Sequence, residues 1–272
     1  MNNRLLPEDY LEPECPLQCG TGTVRESVPQ QRIMDRLDSL MSRKKYSEAE
    51  RHLLYWMDEA KRCCDERGQS MLYNELVGFY RKTEQKEKAL NYADQALALL
   101  DDNSRSISSG TTYVNTATAY GSFGDHERAL ELFRKACEIY ESNENTPRHL
   151  LGGLYNNMAL SEQALGRFEE AFELYEKAMS VMSQVSGGAL EQAITCLNMA
   201  DAVRDQLGLE AGETRIFELL DQAYELLQDP SLPRDGYYAF VCEKCAPGFS
   251  YYGYFAAAEA LSSEAKRIYE RA

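Results

Sequence analysis

A small side chain recurs in this sequence every 40 to 45 residues, each time near the start of an amphipathic helical segment. The six positions are Ala49, Ala89, Ala129, Ala171, Ile216 and Ala258, which are separated by 40, 40, 42, 45 and 42 residues. Another alanine follows seven residues later in five segments, at Ala96, Ala136, Ala178, Ala223 and Ala265, whereas the first segment has Trp56. Seven residues are two helical turns, so both small residues lie on one face. Such a period is typical of a repeat array, in which each unit packs only against its neighbours.

The repeating unit is most complete in residues 154–182, which contain two amphipathic helices and a turn. Tyr155 and Met158 share a face of the first helix, and Phe168 and Tyr175 share a face of the second. Gly166 lies where the first helix must end. The alanines of this segment let two helices approach closely, while the aromatic rings fill the space beside them. The segment therefore predicts a helical hairpin.

The register upstream of the small residue supports the same unit elsewhere. Three segments have alanine twelve residues and glycine five residues before it: Ala117 with Gly124, Ala159 with Gly166, and Ala246 with Gly253. The fifth segment departs from this register, because Ala200 and Gly208 precede Ile216 by 16 and 8 residues. We therefore expect a longer connecting loop at residues 207–214.

These patterns predict an all-α fold, an α-solenoid of about six helical hairpins over residues 30–272. Residues 1–29 contain four prolines, Pro7, Pro13, Pro16 and Pro29, and show no sustained period. We expect them to form an extended or disordered arm, because proline removes a backbone donor and breaks helices. The mixture of apolar and acidic residues in this arm leaves two alternatives. The arm either occupies the groove of its own or a neighbouring molecule, or has no fixed position.

The spacing of small and aromatic residues resembles the tetratricopeptide repeat, a helix-turn-helix unit of about 34 residues. The resemblance covers roughly residues 30–272 and is best in residues 111–142 and 149–184. The longer period is similar to the extended repeats of kinesin light chains and bacterial peptide-pheromone receptors, and YNNMALSEQALGRFEEAFELYEKAM is particularly similar to a kinesin light chain repeat. The proline that usually follows each hairpin is mostly absent. The resemblance implies a superhelix that binds proteins or peptides in its concave groove.

Three asparagines repeat with the hairpins. Asn115, Asn157 and Asn198 each lie two residues before the small residue of a first helix, and they are separated by 42 and 41 residues. Two residues turn a helix by about 200°, so these amides point away from the second helix of their hairpin. In the families resembled, that direction is the concave groove. Because an amide both donates and accepts hydrogen bonds, a row of amides can pair with the backbone of an extended peptide.

Four further residues extend this candidate binding site. Asn74 and Asn156 are offset by one residue and would flank the row. Arg81 and Arg204, each four residues after the small position, could bind a carboxylate. The alternative interpretation is that the asparagines cap neighbouring helices or face solvent.

The charge balance limits the classes of partner. The 44 acidic and 29 basic residues give a formal net charge of −15. This charge repels phosphate backbones and anionic lipid, so we expect neither nucleic acid nor a membrane surface as a partner. No apolar run approaches the roughly 18 residues of a transmembrane helix, and the N-terminus lacks the layout of a secretory signal. These features predict a cytoplasmic protein.

The sequence offers little for catalysis or for a cofactor. It has three histidines, no HExxH motif, no glycine-rich phosphate loop and no nucleophile elbow. Cys15 with Cys19, and Cys242 with Cys245, could in principle supply four thiolates to zinc. The repeat register, however, places Cys242 and Cys245 on the core face of a first helix, far along the solenoid from Cys15. We therefore expect no catalytic, metal or cofactor site.

We predict a non-catalytic scaffold or adaptor that holds an extended segment of another protein in its groove. The alternative is a peptide-sensing regulator of the pheromone-receptor type, although residues 1–29 are too short for the N-terminal effector domain that such receptors usually carry. A cysteine-based metal or redox protein is a third, weaker alternative. A homodimer through the last helix, residues 255–271, is compatible with the sequence, but no motif supports it.

Overall fold

The computed structural model describes residues 27–101 and 105–271, and within these ranges it consists of twelve α-helices joined by turns. The helices are α1 (Gln30–Ser42), α2 (Tyr46–Arg62), α3 (Glu66–Lys82), α4 (Lys86–Ala98), α5 (Ile107–Ser122), α6 (His126–Ser142), α7 (Arg148–Ala164), α8 (Phe168–Met182), α9 (Ala189–Leu207), α10 (Leu209–Leu227), α11 (Gly236–Tyr251) and α12 (Phe255–Tyr269). Consecutive helices pack in pairs, which makes six hairpins. The prediction of an all-α solenoid is confirmed for the described part of the chain.

The hairpins stack in chain order. Each second helix also packs against the first helix of the next hairpin, and first helices contact one another from α3 to α11. The odd-numbered helices therefore form one surface of the stack. This arrangement brings residues about 40 positions apart in the sequence next to each other, which positions the candidate site.

The recurring small residues lie where the two helices of each hairpin meet. Ala49, Ala89, Ala129 and Ala171 have no exposed surface, and Ala258 is 8% exposed. The second row of alanines, seven residues later, is also buried. Close helix packing therefore explains the sequence period.

The hairpin turns need one residue in the left-handed backbone region. Gly124, Gly166 and Gly253 supply it with φ angles of 89°, 75° and 87°, as their spacing predicts. The first two hairpins use Lys44 and Glu84 instead, with φ angles of 56° and 57°. Glycine adopts this conformation without steric cost, whereas a side chain makes it unfavourable.

The expectation of a longer loop in the fifth hairpin is wrong. Only Gly208 separates α9 from α10, and both helices are 19 residues long, compared with 13 to 17 residues in the other hairpins. Residues 209–214 contain good helix formers such as Glu210 and Ala211, so the additional residues lengthen the helices. Gly212 permits this arrangement, because a Cβ there would lie 2.8 Å from Cγ1 of Val203.

Most of the predicted N-terminal arm lies outside the described residues. Its last part, residues 27–29, is described, and the Val28 amide donates a hydrogen bond of 2.9 Å to Oδ2 of Asp65. The other carboxylate oxygen of Asp65 accepts from the Gly68 amide at the start of α3. Asp65 therefore both caps α3 and attaches the segment that precedes α1.

None of the helices in the described ranges combines the length and the hydropathy that crossing a bilayer would require.

Candidate binding surface on the first helices

The five predicted asparagines lie on the surface formed by the first helices, and four of them take part in hydrogen bonds between repeats. On α5, the side-chain amide of Asn115 donates to Oδ1 of Asn74 on α3, with an N···O distance of 3.0 Å. Asn74 in turn donates to the Thr112 hydroxyl at 3.0 Å and to the Ser70 carbonyl at 2.9 Å. A flanking residue and a row residue thus hold neighbouring repeats together.

The same arrangement recurs two repeats later. Asn198 on α9 donates to Oδ1 of Asn156 on α7 at 3.0 Å, and the Thr195 hydroxyl donates to the same oxygen at 3.2 Å. Threonine and asparagine lie three residues apart in both cases, so both side chains project from one face of the helix. We call α3–α5 and α7–α9 the amide-paired interfaces.

The intervening interface, α5–α7, lacks this pairing. Val114 occupies the position on α5 that corresponds to Asn74 and Asn156, three residues before the small residue. Valine has no side-chain acceptor, so the α7 residue that corresponds to Asn115 and Asn198, namely Asn157, has no amide opposite it. Asn157 is half-buried and forms no side-chain hydrogen bond to any residue that the structure describes.

A pocket of about 190 Å³ opens at this unpaired interface. It is lined by Thr118, Gly121 and Ser122 of α5, His126 and Phe133 of α6, and Asn157, Leu160 and Ser161 of α7. Phe133 is buried, and Gly121 leaves room because it has no side chain. Nδ1 of His126 is buried without a hydrogen-bond partner among the described residues. The pocket therefore combines apolar walls with a few polar groups, as small binding sites in proteins do.

Charged side chains connect the same two repeats away from the pocket. Arg167, in the turn before α8, pairs with Glu127 of α6 and with Glu162 of α7, the latter at 3.2 Å. Arg134 of α6 lies 3.7 Å from the other oxygen of Glu162. The Glu162 side chain is 8% exposed, so its charge needs these partners. The third and fourth repeats are thus connected by ion pairs that involve α6, away from the α5–α7 interface.

The two predicted arginines have different surroundings. Arg81 is exposed and forms no ion pair within the described ranges. Arg204 is already neutralised, because it lies 2.8 Å from Asp201 and 2.7 Å from Asp205. Burial alone would lower the pKa of Arg204, but these carboxylates raise it. Arg204 therefore already has two carboxylate partners in this arrangement, and its role as a ligand for a guest carboxylate stays a prediction.

The cysteines of α11 lie in the core. Cys242 and Cys245 are 0% and 1% exposed, and burial raises the pKa of the Cys245 thiol to about 12. A thiol with such a pKa is a poor nucleophile and a poor metal ligand at neutral pH. Among the described residues, no three histidine, cysteine, aspartate or glutamate side chains are grouped so that they could hold a metal ion. Cys15 and Cys19 lie outside the described residues.

Four residues of this surface, Thr112, His126, Ser161 and Thr195, were not predicted from the sequence. Thr112 takes part in the first amide pair and Thr195 in the second. Each lies three residues before an asparagine, and this shared spacing could have predicted their role. His126 and Ser161 gave no signal, because a pocket between three helices has no linear pattern.

The geometry agrees with comparisons with known proteins. Residues 68–142 and 150–209 match the family model described as tetratricopeptide repeat. Over these residues the chain contains tetratricopeptide repeats. The predicted resemblance is therefore confirmed, and the tetratricopeptide solenoid is a scaffold for protein interaction. No curated protein sequence matches the chain.

Solved structures share the tetratricopeptide fold at low sequence identity. The nearly identical TPR-like repeats of a candidate kinesin light chain from Podosopora anserina are 18% identical, with a TM-score of 0.51 over 75% of this chain and 98% of that one. The apo form of RapI is 16% identical, with a TM-score of 0.52 over 89% and 99% of the two chains. A Rap protein complexed with competence and sporulation factor is 15% identical, with a TM-score of 0.50 over 87% and 73%.

Proposed function

We propose that this protein is a non-catalytic scaffold that holds an extended segment of another protein across its first helices, centred on Asn157 and the pocket between α5 and α7. The observation that carries the proposal is the side-chain amide of Asn157 at that pocket, which forms no hydrogen bond to any of the described residues. Both corresponding amides, Asn115 and Asn198, donate to a neighbouring repeat. Asn157 is therefore the row residue best able to bind a guest.

The chemistry of the surface suggests how the guest binds. The Asn157 amide pairs with one backbone N–H and C=O of the extended segment, irrespective of its side chain. The adjacent pocket of about 190 Å³ accepts one apolar side chain, since a cavity of about 150 Å³ in another protein holds benzene. Asn74, Asn115, Asn156 and Asn198 keep the flanking first helices in place and present their remaining polar groups beside the segment.

Arg81 supplies the positive group of the proposed site. The Arg81 residue is exposed and forms no ion pair within the described ranges. A carboxylate on the guest replaces the missing counter-charge and forms a charge-assisted hydrogen bond. We assign no such role to Arg204, which two carboxylates already neutralise.

The test uses a peptide selected from a random display library against the wild-type protein. Asn157→Ala should weaken binding of that peptide by about tenfold, the effect of about 1.4 kcal/mol of lost hydrogen bonding. The matched control is Asn91→Ala, which removes an exposed amide from the second helix α4. Equal affinity of Asn157→Ala and wild type would refute the central role of Asn157.

A second candidate function is a peptide-sensing regulator that changes its superhelical pitch on binding. The unpaired α5–α7 interface favours this function. It lies between the amide-paired interfaces α3–α5 and α7–α9, so a guest in the pocket would change the distance between two parts of the solenoid that are each held together by amides. A Rap protein of similar fold is complexed with competence and sporulation factor. The discriminating measurement is the distance between labels on α2 and α12 with and without the selected peptide. A scaffold keeps that distance, whereas a sensor changes it.

A further inference from the structure

Large apolar side chains are exposed at the hairpin turns of the last two repeats, away from the amide row. Leu207 and Leu209 flank Gly208 in the turn between α9 and α10, and they are 54% and 53% exposed. Tyr251 and Phe255 flank the turn between α11 and α12, and they are 61% and 68% exposed. We call these four side chains the turn patch.

Contacts on both sides hold the two turns next to each other. The Arg204 guanidinium lies 5.4 Å from the centre of the Tyr251 ring. Its Nη1 lies 3.5 Å from the Tyr252 hydroxyl. On the side of the second helices, the rings of Phe217 and Tyr254 are 5.9 Å apart. The four side chains therefore belong to one region of the surface.

The corresponding turns of the first three hairpins are mainly polar. The positions that correspond to Tyr251 and Phe255 hold Ser42 and Tyr46 in the first hairpin, Lys82 and Lys86 in the second, and Ser122 and His126 in the third, so only Tyr46, which is 37% exposed, is a large apolar side chain there. A turn requires a residue in the left-handed region and a suitable helix start, and neither needs leucine or phenylalanine. Several large apolar side chains exposed together indicate an interaction site.

The surroundings of the turn patch are acidic. Residues 200–221 contain six carboxylates, Asp201, Asp205, Glu210, Glu213, Glu218 and Asp221, and two guanidiniums, Arg204 and Arg215. Arg204 is paired with Asp201 and Asp205, and Arg215 lies 3.0 Å from Glu218. Both positive charges are thus compensated within the group, and negative charge remains in excess.

We propose that the turn patch docks an amphipathic segment of another protein, with leucine or aromatic residues on one face and lysine or arginine at its flanks. The apolar face covers the four exposed side chains, and the basic flanks meet the acidic rim. A second copy of the chain would place like charges against each other. The first 26 residues of the chain carry five carboxylates and two guanidiniums, so the same argument disfavours them as the occupant.

The test measures binding of a fluorescent amphipathic peptide of leucine and lysine by anisotropy at an ionic strength of about 0.15 M, where exposed charges are screened beyond about 8 Å. The double substitution Leu209→Ser and Phe255→Ser should weaken binding about tenfold or more, because it removes two large apolar contacts. Tyr55→Ser, at an aromatic residue of α2 that is 48% exposed, is the matched control and should leave affinity unchanged. Asn157→Ala should also leave it unchanged.

Three results would overturn the proposal. The first is equal affinity of the double variant and wild type, with circular dichroism showing that both are folded. The second is equal binding of a leucine and glutamate peptide, because the acidic rim would then play no part. The third is self-association of the wild type in sedimentation velocity that the double variant abolishes, because the patch would then belong to a second copy.

Discussion

Two kinds of interface join the neighbouring first helices from α3 to α9. At α3–α5, Asn74 accepts a hydrogen bond from Asn115 and donates one to Thr112. At α7–α9, Asn156 accepts hydrogen bonds from Asn198 and Thr195. At α5–α7 the corresponding residue is Val114, and a pocket beside Asn157 takes the place of the bonds. One side chain, Val114 in the place of an asparagine, thus distinguishes the interface without cross-repeat amide bonds from the two that have them. A repeat protein can divide stability and recognition between positions that are equivalent in sequence.

The largest effect is expected from removing an amide on which a paired interface depends. Asn74→Ala removes the bonds to Ser70, Thr112 and Asn115, and Thr112 is only 1% exposed. The free energy of unfolding should fall by about 1–3 kcal/mol, because buried polar groups lose a partner. Urea denaturation measures this change. Asn157→Ala should change the free energy of unfolding by less than about 0.5 kcal/mol. Equal losses of unfolding free energy in both variants would contradict the distinction between paired and unpaired interfaces.

A substitution that converts the unpaired interface into a paired one should affect binding next. Val114→Asn places an acceptor opposite Asn157, so the Asn157 amide is occupied by its own chain. The affinity for a selected groove peptide should fall about tenfold, which corresponds to about 1.4 kcal/mol. Val114→Ala is the control, since it removes the valine without providing an acceptor. Isothermal titration that finds equal affinities for the two variants would contradict the assigned role of Val114.

A smaller effect is expected from narrowing the pocket. A Cβ on Gly121 would lie 3.5 Å from Oγ of Ser161 and 3.6 Å from Cβ of Ala129, which are ordinary contacts. Gly121→Ala should therefore stabilise α5 by about 0.5–1 kcal/mol and weaken peptide binding. The control is Gly78→Ala on α3, where a Cβ has nothing within 4 Å. It should raise the melting temperature similarly, and a matching loss of peptide binding there would show that the pocket is not involved.

The smallest effect concerns Glu75 of α3, whose carboxyl is influenced by the charge of Asp38 of α1. Burial, and then the charge of Asp38, raise the pKa of Glu75. When the pKa of a carboxyl is higher in the folded state, ionisation of that carboxyl destabilises the folded state. The free energy of unfolding therefore falls as the pH rises from the unfolded-state pKa of about 4.3 through the folded-state pKa. Glu75→Gln should therefore stabilise the protein at pH 7 and have no effect at pH 3.5. Thermal unfolding at both pH values checks this, with Glu176→Gln on the exposed face of α8 as the neutral control.

The fold was readable from the sequence because each hairpin repeats the same local requirements. Alanine is needed where two helices touch, as at Ala129 and Ala171, and glycine where the turn enters the left-handed region, as at Gly124 and Gly166. The prediction failed in the fifth hairpin, where the same spacing change could lengthen a loop or two helices. Helix-forming residues after Gly208 decided in favour of the helices.

The candidate site was only partly readable. The spacing of Asn115, Asn157 and Asn198 identified three equivalent helical positions, but it could not reveal their partners. Each paired row residue bonds to a residue one position earlier in the preceding repeat. That offset comes from the stagger between neighbouring first helices, which no single hairpin contains.

The sequence by itself determined the repeat, the hairpin and the order of stacking, because these follow from side-chain size and backbone conformation within about 40 residues. Only the tertiary structure decided which amides are occupied and where a pocket opens. Hydrogen bonds between repeats depend on distances of about 3 Å across a helix interface, and a shift of one residue moves a side chain about 100° around its helix.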